Sequence, residues 1–455
     1  MSALTDEIVH GSPWRPIWKS SWPMLIIMIL NFCVGLIDVY VAGLIGPRVQ
    51  AAVGFSGQVL FLVIIVANAI SVGTVAIVSR AAGAGDASAG IAAARQSLVF
   101  GIVVAAGLTL CVAACAGPVS TLLGAPGDVK EIAEQFLRIF SFALGPNYFL
   151  IISNAVFRAS GDMRSPLISM TLVSAVNIAA NFVLVFGAGP VPALGYPGIA
   201  LAAAASFVCG AVLNLVLLAA GRWRPLFRRP FSISARTIRA IARIGWPAGL
   251  LQIAWSAGTL VLYAVLARLG ETEGIAAAAA FTNGLRIEAV IYLPAFALNM
   301  AASVIVGQNL GAGRQGRAEQ LGWRITLAGT VFVGVMAVAT FLAADRLAAG
   351  LSADSEVIAG TARYLRYNMI SEPFMAMSAI LGGALQGAGD TRGTMAVIIT
   401  SMWLVRLPLA FLLAIAGGLG ATGVWAAMVA SMCLQGMLMA WRFRRGRWKH
   451  LQVLS

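Results

Sequence analysis

From Trp22 to Trp441 the chain is a succession of long apolar runs broken by short polar loops. A bilayer-crossing helix needs about 20 mostly apolar residues. Twelve runs reach that length: 22–46, 55–78, 97–119, 136–157, 166–186 and 198–219, then 241–266, 280–306, 325–347, 364–385, 394–415 and 421–441. Composition agrees, with 60% hydrophobic and 11% charged residues where a soluble domain carries about 25% charged. An ordinary soluble globule is excluded. Glycine is abundant and proline lies inside several runs, which suits helices packed in lipid and not the alternating strands of a barrel. The expected fold is an all-α polytopic membrane protein with twelve transmembrane helices. The first run is full length and follows a mixed polar tail without a basic start, so no cleavable signal peptide is expected.

The net charge of +14 is dispersed in short clusters between apolar runs, so no basic domain exists to bind nucleic acid. The charge reads as topology. Arg15, Lys19, Arg80, Arg95, Arg158, Arg164, seven residues from Arg222 to Arg243, Arg314, Arg317, Arg324, Arg392 and five from Arg442 to Lys449 all fall on one side of the twelve-span scheme. Both termini are therefore expected in the cytoplasm. The opposite loops are short or acidic, as at Glu271 and Glu273 or Asp354 and Glu356. The expected organisation is a cytoplasmic tail (1–20), an amino-terminal lobe (21–220), a basic cytoplasmic linker (221–240), a carboxy-terminal lobe (241–441) and a basic tail (442–455).

The chain repeats itself. Trp22-Pro23 recurs as Trp246-Pro247, and Leu44-Ile45-Gly46 as Arg268-Leu269-Gly270, at an offset of 224. At 228, Gly83-Ala84-Gly85 matches Gly311-Ala312-Gly313, and Gly161-Asp162-Met163-Arg164 matches Gly389-Asp390-Thr391-Arg392. Six spans per copy give both copies the same orientation, which predicts two six-helix lobes related by a pseudo-two-fold axis along the membrane normal. The Gly-Asp segments are no phosphate cradle, because no strand precedes them and no Gly-Lys-Ser/Thr follows. They read as helix ends and turns, with Asp162 expected to pair with Arg164 and Asp390 with Arg392. The five cysteines lie in apolar runs and the histidines, His10 and His450, near the termini. Neither a disulfide frame nor a zinc site is expected, and Cys111 and Cys115 read as small core residues.

Ionisable groups inside a span are expensive and default to function. Three acids lie well inside: Asp38, Glu288 and Glu372. Asn31 stands two turns before Asp38 on roughly the same face, and Asn177 and Asn181, at i and i+4, present two amides side by side. A carboxylate with amide oxygens suits a proton or Na⁺. In the second half the counterparts are Leu262 (or Leu266), Val405 and Leu409, so this polar set belongs to the first lobe alone. Glu288 follows Arg286 and precedes Tyr292. It reads either as a substrate-facing acid or as the partner of an arginine. Glu372 precedes Pro373, whose ring favours a bend, as do Pro146 and Pro294. It is either a second coupling or substrate site or a partner of Arg366 or Arg406. Met369, Met375, Met377, Phe374, Tyr292 and Trp403 are candidates to line an adaptable cavity.

Trp22-Pro23 with Asp38 and Gly46, Gly161-Asp162, Asn177-x-x-x-Asn181 and the run Val306-Gly307-Gln308-Asn309-Leu310-Gly311-Ala312-Gly313 carry a family resemblance. Over essentially its whole length the chain resembles the multidrug and toxic compound extrusion (MATE) transporters, most of all the branch containing the DNA-damage-inducible protein F. The resemblance implies a V-shaped pair of six-helix lobes and cation-coupled antiport of amphipathic, often cationic, small molecules by alternating access. It places the coupling cation on Asp38, Asn177 and Asn181. Many members have a second acid where this chain has Asn181, which favours H⁺ over Na⁺. No other cofactor or metal is expected, and the chain is expected to act as a monomer in the bacterial inner membrane. A lipid or lipid-linked saccharide flippase of the same superfamily is the alternative. Such a protein calls for several basic groups in its cavity, whereas Arg286 and Arg406 are the only ones read as deep in spans. An intramembrane enzyme is disfavoured because no His or Lys lies inside a span.

Overall fold

A computed structural model describes residues 3–122, 127–228 and 233–453. Arg229 and Pro230 of the expected linker lie outside the described residues. The long helices are α1 (Trp14–Ile45), α2 (Pro47–Gly83), α3 (Ala87–Leu122), α4 in two pieces (Gly127–Ser141 and Leu144–Ala159), α5 (Arg164–Phe186) and α6 (Tyr196–Ala220). The second set is α7 (Ala235–Ala267), α8 (Glu271–Gly311), α9 (Gln315–Leu342), α10 (Ser355–Gly387), α11 (Thr391–Ala416) and α12 (Gly420–Arg444).

Ten of these are long and apolar enough to cross a membrane by themselves. The two pieces of α4 meet at 55°, with Pro146 in the first turn after the break. Together they make an eleventh span. The twelfth, α10, is 33 residues long but is diluted by polar residues such as Asn368, Ser371 and Glu372, all of them buried. Its polarity is turned inward, against the protein. Pro294 and Pro373, expected to bend their helices, sit inside α8 and α10 without ending them. Helices start earlier than the apolar runs do, as α1 at Trp14 and α2 at Pro47 show. Helix geometry continues through the interface, while apolar character stops at the hydrocarbon edge.

Two compact units form, one around Trp22–Trp246 and the other around Pro247–Gln452, and Gly11–Ser21 groups with the second. Two of the boundaries, 21/22 and 246/247, fall beside or within the repeated Trp-Pro steps. The first unit packs Val41, Val63, Leu137, Tyr148 and Ile199 into its core. The second is built on an aromatic cluster in which Tyr364 lies 4.7 Å from Trp425 and 5.7 Å from Phe281, ring centre to ring centre.

Helices approach closely where glycine removes the side chain. In the second unit Gly383 and Gly387 of α10 face Asn299 and Ser303 of α8. A Cβ at these glycines would lie 2.2 Å from the Asn299 carbonyl oxygen and 2.0 Å from that of Ser303. This is a Gly-x-x-x-Gly contact of backbone on backbone. In the first unit Gly73 of α2 and Gly245 of α7 do the same, against the carbonyls of Ile241 and Ala69.

The repeat is written in the backbone as well. Gly85 and Gly313 both have φ +72°, and Gly161 and Gly389 have +80° and +88°. These are left-handed positions that only glycine adopts without strain. The Asp86 side chain caps α3 by accepting from Ala89 N (2.9 Å) and Ser88 Oγ (2.7 Å). Those hydrogen bonds, the Ala89 one first, hold its carboxyl below the ordinary range. The cap is thus in place at neutral pH and is lost only in acid below that range.

The expected pairs within the Gly-Asp turns are replaced by others. Asp390 takes a bidentate ion pair from Arg442 at the end of α12, both contacts at 2.8 Å, and caps Gly393 N. Asp162 accepts the backbone N–H groups of Arg164 and Ser165 (3.1 Å each) and the Ser165 hydroxyl. Arg222, just past α6, binds the same turn through the Ser160 carbonyl at 2.7 Å and acts on Asp162 electrostatically. An arginine at the end of each lobe's sixth helix therefore secures its Gly-Asp turn. A side chain two residues away in a tight turn points elsewhere, which is why the local pairing fails. Asp390→Ala should cost about 3 kcal/mol, because it strands a partly buried guanidinium. Asp162→Ala, which removes a cap without an ion pair at hydrogen-bond distance, should cost about 1 kcal/mol. Thermal unfolding of the two variants in detergent checks the ranking; equal loss would contradict it.

Candidate functional site

Asp38 lies on α1, half-buried, opposite α5 within the first unit. Asn177 and Asn181 are buried, one turn apart on α5. Asn181 Nδ2 donates to Asp38 Oδ1 at 2.8 Å and to Asn177 Oδ1 at 3.1 Å, and Asn177 also interacts with the Asp38 carboxyl. With its amide nitrogen so committed, Asn181 turns Oδ1 the other way, where that buried acceptor meets no donor among the described residues. An enclosed acceptor without a donor costs roughly 1–3 kcal/mol. A cation or a hydrogen-bond donor delivered beside it would supply the missing partner.

A second polar network holds α5 in place. Asn214 of α6 donates to Ser153 Oγ (2.7 Å) and Asn154 Oδ1 (2.9 Å) of α4 and accepts from Ser169 of α5. Ser169 is two turns before Asn177, so the network sets the height of the amide pair. Four neutral residues on three helices give no spacing signal in the sequence. Asn31, expected to join Asp38, is exposed and donates to the Ile27 carbonyl of its own helix at 2.9 Å. Seven residues make nearly two turns, but the carboxyl is already held by groups on α5.

The second unit has its own polar interior. Glu288 of α8, Glu372 of α10 and Arg406 of α11 line a cavity of about 40 Å³, together with Trp255, Phe281 and Tyr292. That is room for a few waters, at the roughly 10–15 Å³ each requires on this measure. Tyr292 donates to Glu288 Oε2 at 3.1 Å, and the same carboxyl acts electrostatically on Tyr364. Arg406 donates through Nε to Ser431 Oγ at 2.8 Å. It ends a seven-residue π-helical stretch, Thr400–Arg406, a distortion that often marks functional positions.

Arg286 stands apart: it is exposed, although it is only two residues from Glu288, because such neighbours point to different helix faces. Arg366 is also elsewhere, paired with Asp345, so of the two arginines weighed as partners for Glu372 only Arg406 shares its cavity. Leu262, the counterpart of Asp38, is buried core that borders this cavity, and Leu409 packs against the same core. Among the proposed cavity residues only Tyr292 lines it; Met369 and Met375 are buried core, and the Trp403 indole donates to the Ala254 carbonyl. Trp255 and Phe281 were not legible as lining residues, since one aromatic in an apolar run looks like any other. Cys111, read as core, is exposed on the outside of α3, and Cys115 is half-buried.

A family-wide sequence profile, MatE, matches residues 23–183 and again 247–412, so the two matches begin 224 residues apart, the Trp-Pro offset. The chain belongs to the MatE family. It is a transporter, not an enzyme. The MatE chain is 27% identical to a probable multidrug resistance protein NorM of Thermotoga maritima, over 94% of this chain and 91% of that protein. It is 26% identical to an FAD transporter of Shewanella oneidensis, over 89% of each. A solved MOP superfamily transporter from Pyrococcus furiosus superposes with a TM-score of 0.90 at 21% identity, covering 99% of this chain and 100% of that one. A MATE structure in a bent conformation gives 0.90 at 22%, over 98% and 97%. These likenesses establish twelve helices in two lobes as the fold of this MatE protein.

Proposed function

We propose that this protein is a cation-coupled antiporter of the bacterial inner membrane that exports amphipathic, often cationic, small molecules by alternating access, with H⁺ as the coupling ion. The observation that carries the reading is the Asp38, Asn177 and Asn181 cluster, in which the Asn181 amide nitrogen lies on the Asp38 carboxyl. One carboxyl, with an amide N–H already on one of its oxygens, offers few oxygens to a metal cation, while a proton needs only one. The related proteins named for multidrug resistance support the cargo class. In the cycle, the ionised Asp38 favours a cationic cargo. Protonation removes that charge, the cargo leaves, and the neutral site returns. A lipid-linked saccharide flippase would need a basic cavity, and the enclosed cavity of the second unit has one arginine against two acids.

Proteoliposomes loaded with ethidium test the reading. An imposed pH gradient should drive ethidium movement at least tenfold faster than no gradient, and a Na⁺ gradient should not. Drive by Na⁺ alone would overturn proton coupling, and indifference to both gradients would overturn antiport.

A further inference from the structure

Two groups in the cavity of the second unit are only partly used. Glu372 is 2% exposed, and its Oε2 has no hydrogen-bond partner among the described residues. Arg406 is 3% exposed; it spends Nε on Ser431 and stands 5.3 Å from the Trp255 ring. No ion pair ties its terminal nitrogens to a carboxylate among the described residues, although Glu288 and Glu372 both act on it electrostatically. Acid and base line one cavity without closing on each other.

The chemistry that completes both is one molecule with an acceptor and a donor. A guanidinium fork matches a carboxylate through two parallel hydrogen bonds. A carboxylate oxygen without a donor matches an ammonium. Charge arithmetic favours carrying both: two acids and one arginine make a centre that is neutral once one acid holds a proton. A ligand without net charge then enters without leaving an unbalanced charge inside the span, which is expensive there. Trp255 and Phe281 supply apolar walls, and the space admits a small head group, not a whole drug.

We propose that this cavity receives the head group of a zwitterionic amphipath, its carboxylate on Arg406 and its ammonium on Glu372. The proposal rests on the export reading above and adds a head-group site for one kind of cargo within its class. Calorimetric titration of the purified full chain with 2-aminodecanoic acid, a zwitterion whose carboxylate and ammonium share one carbon, and with its methyl ester, which lacks the carboxylate, tests it. The wild type should bind the acid at least tenfold more tightly than the ester. Arg406→Gln should bring the two within about twofold, and Arg406→Lys should restore part of the preference; melting curves confirm that each variant is folded. Equal binding of acid and ester by the wild type, no binding of either, or a preference that survives in Arg406→Gln would overturn the head-group assignment. Ethidium export under a pH gradient reads the underlying function separately: a wild type that exports ethidium yet ignores the ester change loses only the present assignment.

Discussion

Asp38→Asn abolishes gradient-driven export, lowering the rate by about two orders of magnitude, while leaving the amount of protein in the membrane unchanged. The substitution is nearly isosteric, and the new amide oxygen can still accept from Asn181 Nδ2, which now meets Asp38 Oδ1 at 2.8 Å. What is lost is the site that alternates between charged and neutral. A hundredfold loss corresponds to about 2.7 kcal/mol, on the scale expected when a step loses its charged partner. Ethidium export in proteoliposomes and quantitative blotting of the same membranes supply the two readings. Full export by the variant would remove Asp38 from the mechanism. Reduced export with equally reduced protein would make the carboxyl a structural hydrogen-bonding group.

Gly387→Val has the largest expected effect on stability. Its Cβ would stand 2.0 Å from the Ser303 carbonyl oxygen and 2.6 Å from the carbonyl carbon, and backbone on both sides cannot yield as a side-chain tip can. Relief requires α8 and α10 to separate, costing about 3 kcal/mol or more, and Asn299 and Ala379 would lose their 2.6 Å hydrogen bond. Separation would also displace Glu288 from Glu372. The expected result is a sharp fall in the monodisperse fraction after detergent extraction and in the unfolding temperature. Gly316→Ala, where nothing lies within 4 Å of the added carbon, should leave both unchanged. If the two variants behaved alike, the close helix approach would carry none of the stability assigned to it.

Much of the fold was legible because lipid imposes it. Apolar length gave the twelve spans, and the repeated Trp-Pro, Gly-Ala-Gly and Gly-Asp segments gave the two-lobe organisation, down to glycine φ values that recur between lobes. Asp38, Asn177 and Asn181 were singled out because a carboxylate and paired amides in apolar runs need a reason to be there, and the structure brings the three together. Pairings that depend on where helices end were not legible. Arg442 reaches Asp390 across 52 residues, and no local spacing records that. Arg286 and Arg406 looked alike in sequence, both single arginines in spans, yet one is exposed and the other sits behind a π-helical stretch. Helix rotation separates them, and it is set by packing between helices, not by local pattern. Asn31 failed for the same reason.

Proton release on cargo binding measures the central claim most directly. Ethidium added to purified protein in weakly buffered solution, followed with a pH indicator, should release about one proton per molecule bound, and Asp38→Asn should release none. A wild type that binds ethidium without releasing a proton, or an Asp38→Asn variant that releases as many, would contradict exchange at this carboxyl.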